Sequence, residues 1–142
     1  SLLPNNLKPH VCFHYSSVRM AEWHGRICTL FEKLPNICPD FIYLDAPEPS
    51  HATDSIRNIT TSHPDRFPMS ADILNIEHFL LPGTVILIDG RTANARFLQC
   101  NLQRSWEYCH NFKDDVHFFE LKEQPLGKIN QVEIEWRYGN QY

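Results

Sequence analysis

The sequence predicts an α/β fold, a mostly parallel sheet with helices on both faces and a terminal antiparallel strand pair. Three observations carry this. The short apolar runs FIYL (41–44) and TVILI (84–88) have the composition of strands buried on both faces. Segments with helical spacing separate the candidate strands. The last two candidate strands have no helix between them, so they are expected to close as a hairpin-like pair.

In chain order, His10 to Ser16 (HVCFHYS) reads as a strand, with aromatic Phe13 and Tyr15 inside it. Ser17 offers an N-cap. Met20, Trp23, Ile27, Leu30, Phe31 and Leu34 then recur on one helical face, which predicts a helix over 18–34 that Gly25 weakens and Pro35 ends. Phe41 to Leu44 follows as a strand ending on Asp45. Residues 46–69 hold Pro47, Pro49, Pro64 and Pro68 among many polar residues and read as a long loop with one helical turn near SIRN. Ser70 caps a helix over 71–81, with Ile73, Ile76, Leu80 and Leu81 inward, and Pro82-Gly83 stops it. TVILID is the clearest strand. Thr92 caps a helix over 93–109 with Ala95, Leu98, Leu102 and Trp106 on one stripe. VHFFEL (116–121) is a strand, and 131–139, where Val132, Ile134, Trp136 and Tyr138 alternate with polar residues, reads as a strand with one wet face. By this periodicity Trp23, Trp106 and Trp136 belong to the core.

At 142 residues the chain is read as one domain over 1–142, large enough to bury a core without staples. A formal net charge of -4 provides no global basic field, so neither nucleic acid nor a membrane is expected as a partner. The start, SLLPNNLKPH, lacks the layout of a signal peptide. Five cysteines, an odd number with no C-x-x-C pair, argue against a disulfide framework or structural zinc and for a reducing, cytoplasmic location. Cys12, Cys28 and Cys100 sit among apolar neighbours and are expected to pack as small hydrophobes.

Ligands of open parallel sheets bind outside the carboxyl ends of the strands. Asp45 and Asp89 both fall there, with Gly90, Arg91, Asn94 and the start of the 46–69 loop. Two carboxylates on one rim can hold a divalent cation such as Mg²⁺, share general-base work, or bind sugar hydroxyls. Arg91 is placed to meet an anionic or polyhydroxylated ligand, and Asn94 and Asp89 join it as candidate substrate contacts. His51 and His63 lie in the loop and can reach the rim, His51 as a catalytic partner for Asp45; His14 ends the first strand. His24, His78, His110 and His117 read as structural or solvated, and Arg96 and Arg104 as the polar face of their helix. No P-loop, G-x-G-x-x-G or G-x-S-x-G motif is present.

PDFIYLDAP, followed by a helix ending LLPG and then TVILIDGRTANARFLQCN, resembles the second half of class I S-adenosylmethionine-dependent methyltransferases, closest to small-molecule or sugar O-methyltransferases. The patterns P-D-aromatic-Ile-x-x-D and L-x-P-G-x-x-I-x-x-D carry the likeness, which covers roughly residues 10 to 139. It implies a Rossmann-like three-layer sandwich that is incomplete at its N-terminus. It also implies methyl transfer to a hydroxyl of a small-molecule or sugar acceptor. In metal-dependent members two acidic residues hold a cation beside the acceptor, and Asp45 and Asp89 match those positions, although Gly90 stands where such members carry a second acidic or amide residue. Without a metal, Asp45 is the acceptor-positioning base. The family's Gly-rich cofactor turn and the acidic strand end that binds the ribose have no counterpart, so S-adenosylmethionine is expected to bind this chain weakly or not at all. The missing strands would leave apolar edges, which predicts a homodimer. Two other readings stand beside this one: a non-catalytic α/β interaction module, and a Mg²⁺-dependent phosphohydrolase-like domain using Asp45 and Asp89.

Overall fold

In the computed structural model, which describes residues 3–45 and 47–139, Val18–Trp23 (β1) and Arg26–Phe31 (β2) form an antiparallel hairpin. Its two-residue turn is His24-Gly25, with φ of 45° and 75°, the positive pair that a tight hairpin turn needs. The expected helix over 18–34 is therefore a hairpin, and Gly25 is its turn rather than a flaw in a helix. Residues 10–16 form no strand; a 3₁₀ turn at Lys8–His10 precedes extended chain. The two-residue strand Ala52–Thr53 (β4) adds parallel to β1, giving the order β2-β1-β4.

The second sheet has the order β3-β5-β7-β6, built from Phe41–Leu44 (β3), Val85–Asp89 (β5), Trp106–Asn111 (β6) and Val116–Leu121 (β7). β3 and β5 are parallel, while β7 runs antiparallel to both β5 and β6. The molecule is thus α/β with two mixed sheets in which antiparallel pairing predominates, rather than a mostly parallel three-layer sandwich. A closing antiparallel pair exists, but it is β6–β7. The helix expected to run to Cys109 ends at Asn101 (α2, Thr92–Asn101), and β6 follows. Residues 131–139 are not a strand but most of a helix, α3 (Gly127–Tyr138). The helix at Asp72–Ile76 (α1) passes into a 3₁₀ turn at Glu77–Phe79, and the loop from Pro47 to Met69 is long, as expected.

Register explains where the core sits. Ile86 pairs with Phe119 and Ile88 with His117, so these side chains share one face of the sheet. Ile86, Ile88, Phe119 and Leu121 are at most 1% exposed there, packed with Leu98 and Ala95 of α2 and Ile73 and Leu74 of α1. The opposite face is open by comparison, with Phe41 and Tyr43 each 53% exposed. The β1–β2 hairpin joins the core through Ala21 and Cys28 and is tied to the entry of α1: Thr29 N–H donates to Met69 O, and Ala71 N–H to Thr29 O. Trp23 and Trp106 pack partly against the core, whereas Trp136 is 83% exposed, against expectation. Among the described residues, no helix is long and apolar enough to cross a membrane.

Of the cysteines, Cys28 is buried and Cys12, Cys38, Cys100 and Cys109 are exposed, so the expected packing holds for Cys28 and fails for Cys12 and Cys100. Burial, aided by the Asp72 charge, pushes the Cys28 thiol up to about 11. Alkylation needs the thiolate. Native protein treated with iodoacetamide at about pH 8 should therefore show four adducts by mass spectrometry, with the fifth appearing only in denaturant. Five rapid adducts in the native state would mean that the β2–α1 junction opens freely.

Candidate functional site

β3, β5 and β6 run in the same direction, so their carboxyl ends form one rim. Asp45 follows β3, Asp89 ends β5, and the β6–β7 turn closes the far side. Arg91 organises the near side. Its guanidinium donates to the carbonyls of Pro47 and Asp45, each at 3.2 Å, and to Glu48 Oε1 at 3.3 Å, while Nε stands 3.5 Å from Asp45 Oδ1. This multidentate clamp fastens the start of the long loop to the turn between β5 and α2. The side chain of Arg91 is mostly buried and that of Asp45 mostly exposed, so the carboxylate keeps a face toward solvent.

Asp45, Glu48 and His51 line a single hollow of about 690 Å³, shared with Tyr15, Ser16 and Thr53. The structure thus brings the two expected catalytic residues, Asp45 and His51, to one concave surface. His63 is spent locally: its Nδ1 accepts from Asp65 N–H. Asp89 and Asp45 follow the paired residues Ile88 and Leu44 on neighbouring strands; Asp89 does not line this hollow and accepts the Tyr43 hydroxyl at 2.6 Å. That bond raises the Tyr43 phenol above its ordinary value, with smaller contributions from burial and from the charges of Asp89 and Asp45. Asn94 is buried in the first turn of α2. Its Oδ1 accepts from Ser70 N–H at 2.9 Å and its Nδ2 donates to Ser70 O at 3.2 Å. Both functions of this expected substrate contact are used on the backbone that leads into α1.

Asp45 and Asp89 are poorly suited to share Mg²⁺. A cation at Asp45 would stand beside the Arg91 guanidinium, and Asp89 already accepts from Tyr43. Among the described residues, the only group of three or more His, Cys, Asp or Glu side chains close enough to share an ion is His110, Asp115 and His117. These lie farther along the same rim. His110 and His117 face each other across the β6–β7 hairpin, with ring centroids 3.9 Å apart, and Asp115 sits in the connecting turn. Gly90 N–H donates to Asp115 O at 2.9 Å, so that turn is bonded to the end of β5. His117 is fully buried; Tyr108 Oη lies 2.9 Å from its Nδ1 and Thr92 Oγ1 2.9 Å from its Nε2. Burial first, then the nearby His110, lowers His117 below the usual histidine range against the pull of Asp115. The signal in the sequence was the pair of histidines flanking NFKDDV, which only the hairpin register turns into a cluster.

No family model, curated protein or solved structure matches the chain.

Proposed function

We propose that the hollow around Asp45 is the acceptor side of a methyl-transfer site, binding a hydroxyl group of a small molecule or sugar. The observation that carries this reading is the joint exposure of Asp45 and His51 in one hollow, with Arg91 holding the Asp45–Glu48 segment in place. The element order supports it. A strand leading to Asp45, a helix, the Pro82-Gly83 turn, a strand with Asp89, a helix and an antiparallel pair follow one another in the order that the resemblance to class I methyltransferases implies, with α3 after the pair in place of a last strand.

S-adenosylmethionine would supply an electrophilic methyl group. The residues present do not form the Gly-rich turn that would hold it, so the reading rests on the acceptor side alone. There, Glu48 and Thr53 offer hydrogen-bonding groups to a polyhydroxylated ligand. His51 is the group that takes the acceptor proton, and Asp45 orients the hydroxyl. Positioning of this kind is the main source of rate when the protein does no covalent chemistry.

Titration with simple sugars and hydroxylated aromatics, followed by the His51 imidazole resonances, tests the reading at millimolar S-adenosylmethionine. Acceptor binding should weaken at least tenfold in Asp45→Ala. Labelled methyl transfer should fall by roughly 10²–10⁴ in His51→Gln, the range for loss of a general base. Phosphate release from phosphomonoesters that needs Mg²⁺ and is lost in Asp89→Ala would replace this reading with a phosphohydrolase. A folded protein that binds no acceptor would replace it with an interaction module.

A further inference from the structure

We infer that His110, Asp115 and His117 form a binding site for a divalent transition-metal ion of the zinc class. Two imidazoles and one carboxylate are the donor set such ions take, leaving a position open for water or a further ligand. One ligand atom from each residue lies within 4.8 Å of the other two, and His110 Nε2 stands 3.5 Å from Asp115 Oδ1. Ligand atoms on a tetrahedral ion at about 2.0–2.1 Å are roughly 3.3 Å apart, so the cluster closes onto an ion with shifts of about 1 Å.

Three details separate this cluster from a packed histidine pair. First, His110 Nε2 is buried and makes no hydrogen bond, one of two such side-chain atoms among the described residues, the other being Thr29 Oγ1. A buried polar atom with no hydrogen bond, its carboxylate neighbour Asp115 Oδ1 standing 3.5 Å away, is costly, and a metal ion would satisfy this one. Second, Tyr108 holds His117 Nδ1 at 2.9 Å. With Nδ1–H donated to the phenol oxygen, Nε2 presents its lone pair to the cluster, the outer-shell arrangement that ligating histidines use. Third, the Thr92 hydroxyl lies 2.9 Å from His117 Nε2 and 3.4 Å from Asp115 Oδ1, so donors from two elements already converge on one point. That hydroxyl can rotate away on metal entry or take the fourth position. Asp115, with its side chain 59% exposed, provides the way in from solvent.

The test is calorimetric titration of the full chain with Zn²⁺, and with Co²⁺ read by its visible absorption. One Zn²⁺ should bind with a dissociation constant in the micromolar range or tighter, Co²⁺ should give ligand-field bands, and Mg²⁺ should not compete. His110→Ala removes a ring with no hydrogen bond to lose, and Asp115→Asn alters an exposed turn, so both variants should fold. Each should weaken Zn²⁺ about 100-fold, and Tyr108→Phe about tenfold, within the range for outer-shell changes. Zn²⁺ should raise the thermal midpoint of the parent and not that of His110→Ala. Absence of Zn²⁺ binding at about 0.1 mM, where a micromolar site would be saturated, would overturn the inference and leave a stacked packing pair. So would equal affinity in the parent, His110→Ala and Asp115→Asn.

Discussion

Glu77→Ala is expected to lower stability by about 3–5 kcal/mol, the range for removing one partner from a buried charged network. Glu77 is 2% exposed, and its Oε1 accepts three hydrogen bonds, from Gln103 N–H, Arg104 N–H and Trp106 Nε1–H, each at 2.9 Å. Its own carbonyl accepts from Arg104, whose guanidinium also donates to Leu80 O and pairs with Glu123. One carboxylate thus organises the whole turn between α2 and β6. Alanine leaves three donors without partners, and each buried orphan costs about 1–3 kcal/mol. A domain of this size holds only about 5–15 kcal/mol in total. Urea denaturation should therefore show a large drop in midpoint with little change in slope. Glu77→Gln keeps one acceptor oxygen but loses the charge, and about 1–2 kcal/mol is expected for it. A loss below about 1 kcal/mol in the alanine variant would mean that water replaces the carboxylate and the turn is not held from Glu77.

The Glu77 network also explains one limit of reading this chain from its sequence. The stripe Ala95, Leu98, Leu102, Trp106 has helical spacing, and nothing local to it says that the helix stops at Asn101. The stop is imposed from outside, by a carboxylate 26 residues earlier that binds the turn backbone. The expected helix over 18–34 fails for a different reason. Met20, Trp23, Ile27 and Leu30 fit a helical period, and in the strands their spacings of three put Met20 and Trp23, and likewise Ile27 and Leu30, on opposite faces, both of them at least partly buried, so no alternation marks the strands. Gly25 was the deciding signal, as the second residue of a tight turn. The short apolar runs at β3 and β5 were legible because both periodicities and both boundaries agreed. Their apolar character nevertheless suggested cover on both faces, and Phe41 and Tyr43 remain half exposed on the second one.

The rim divides in the same way. Asp45, Asp89 and Arg91 were legible because a polar residue at the end of an apolar strand needs only the strand to be found. The contents of the cluster at the far side were not. His110 and His117 are seven residues apart, and whether they face each other depends on the register of a hairpin whose first strand begins in a segment of helical spacing. The role of Asn94 was hidden because its partner, the Ser70 backbone, belongs to an element 24 residues away.

Gly83→Ala is expected to cost about 2–4 kcal/mol, by adding backbone strain to overpacking. Gly83 has φ of +84°, a conformation that disfavours an L side chain, and an added Cβ would stand 2.7 Å from Ile134 Cγ1 of α3. The same turn holds α3 in place. Arg137 donates to Gly83 O at 2.6 Å and pairs with Asp40 at 3.2 Å, while Asn130 Nδ2 donates to Pro82 O at 3.0 Å. Asn130, Ile134 and Arg137, spaced four and three apart, are the least exposed residues of α3, and the Tyr138 hydroxyl donates to Glu120, whereas Val132 and Trp136 are exposed. That is why the apolar alternation over 131–139 misled: the helix docks through Asn130, Ile134 and Arg137 onto a glycine turn distant in sequence. The variant should unfold at lower urea, and protease should cut within 122–139 before the core strands are attacked. Adding Ile134→Ala removes the clash and leaves the φ strain, so the double variant should recover part of the loss, with a residual near 1 kcal/mol. If the single variant costs less than about 0.5 kcal/mol, as an unconstrained surface site would, α3 does not depend on this turn. If the double variant costs as much as the two substitutions added, Ile134 is not the side chain against which the new methyl group packs.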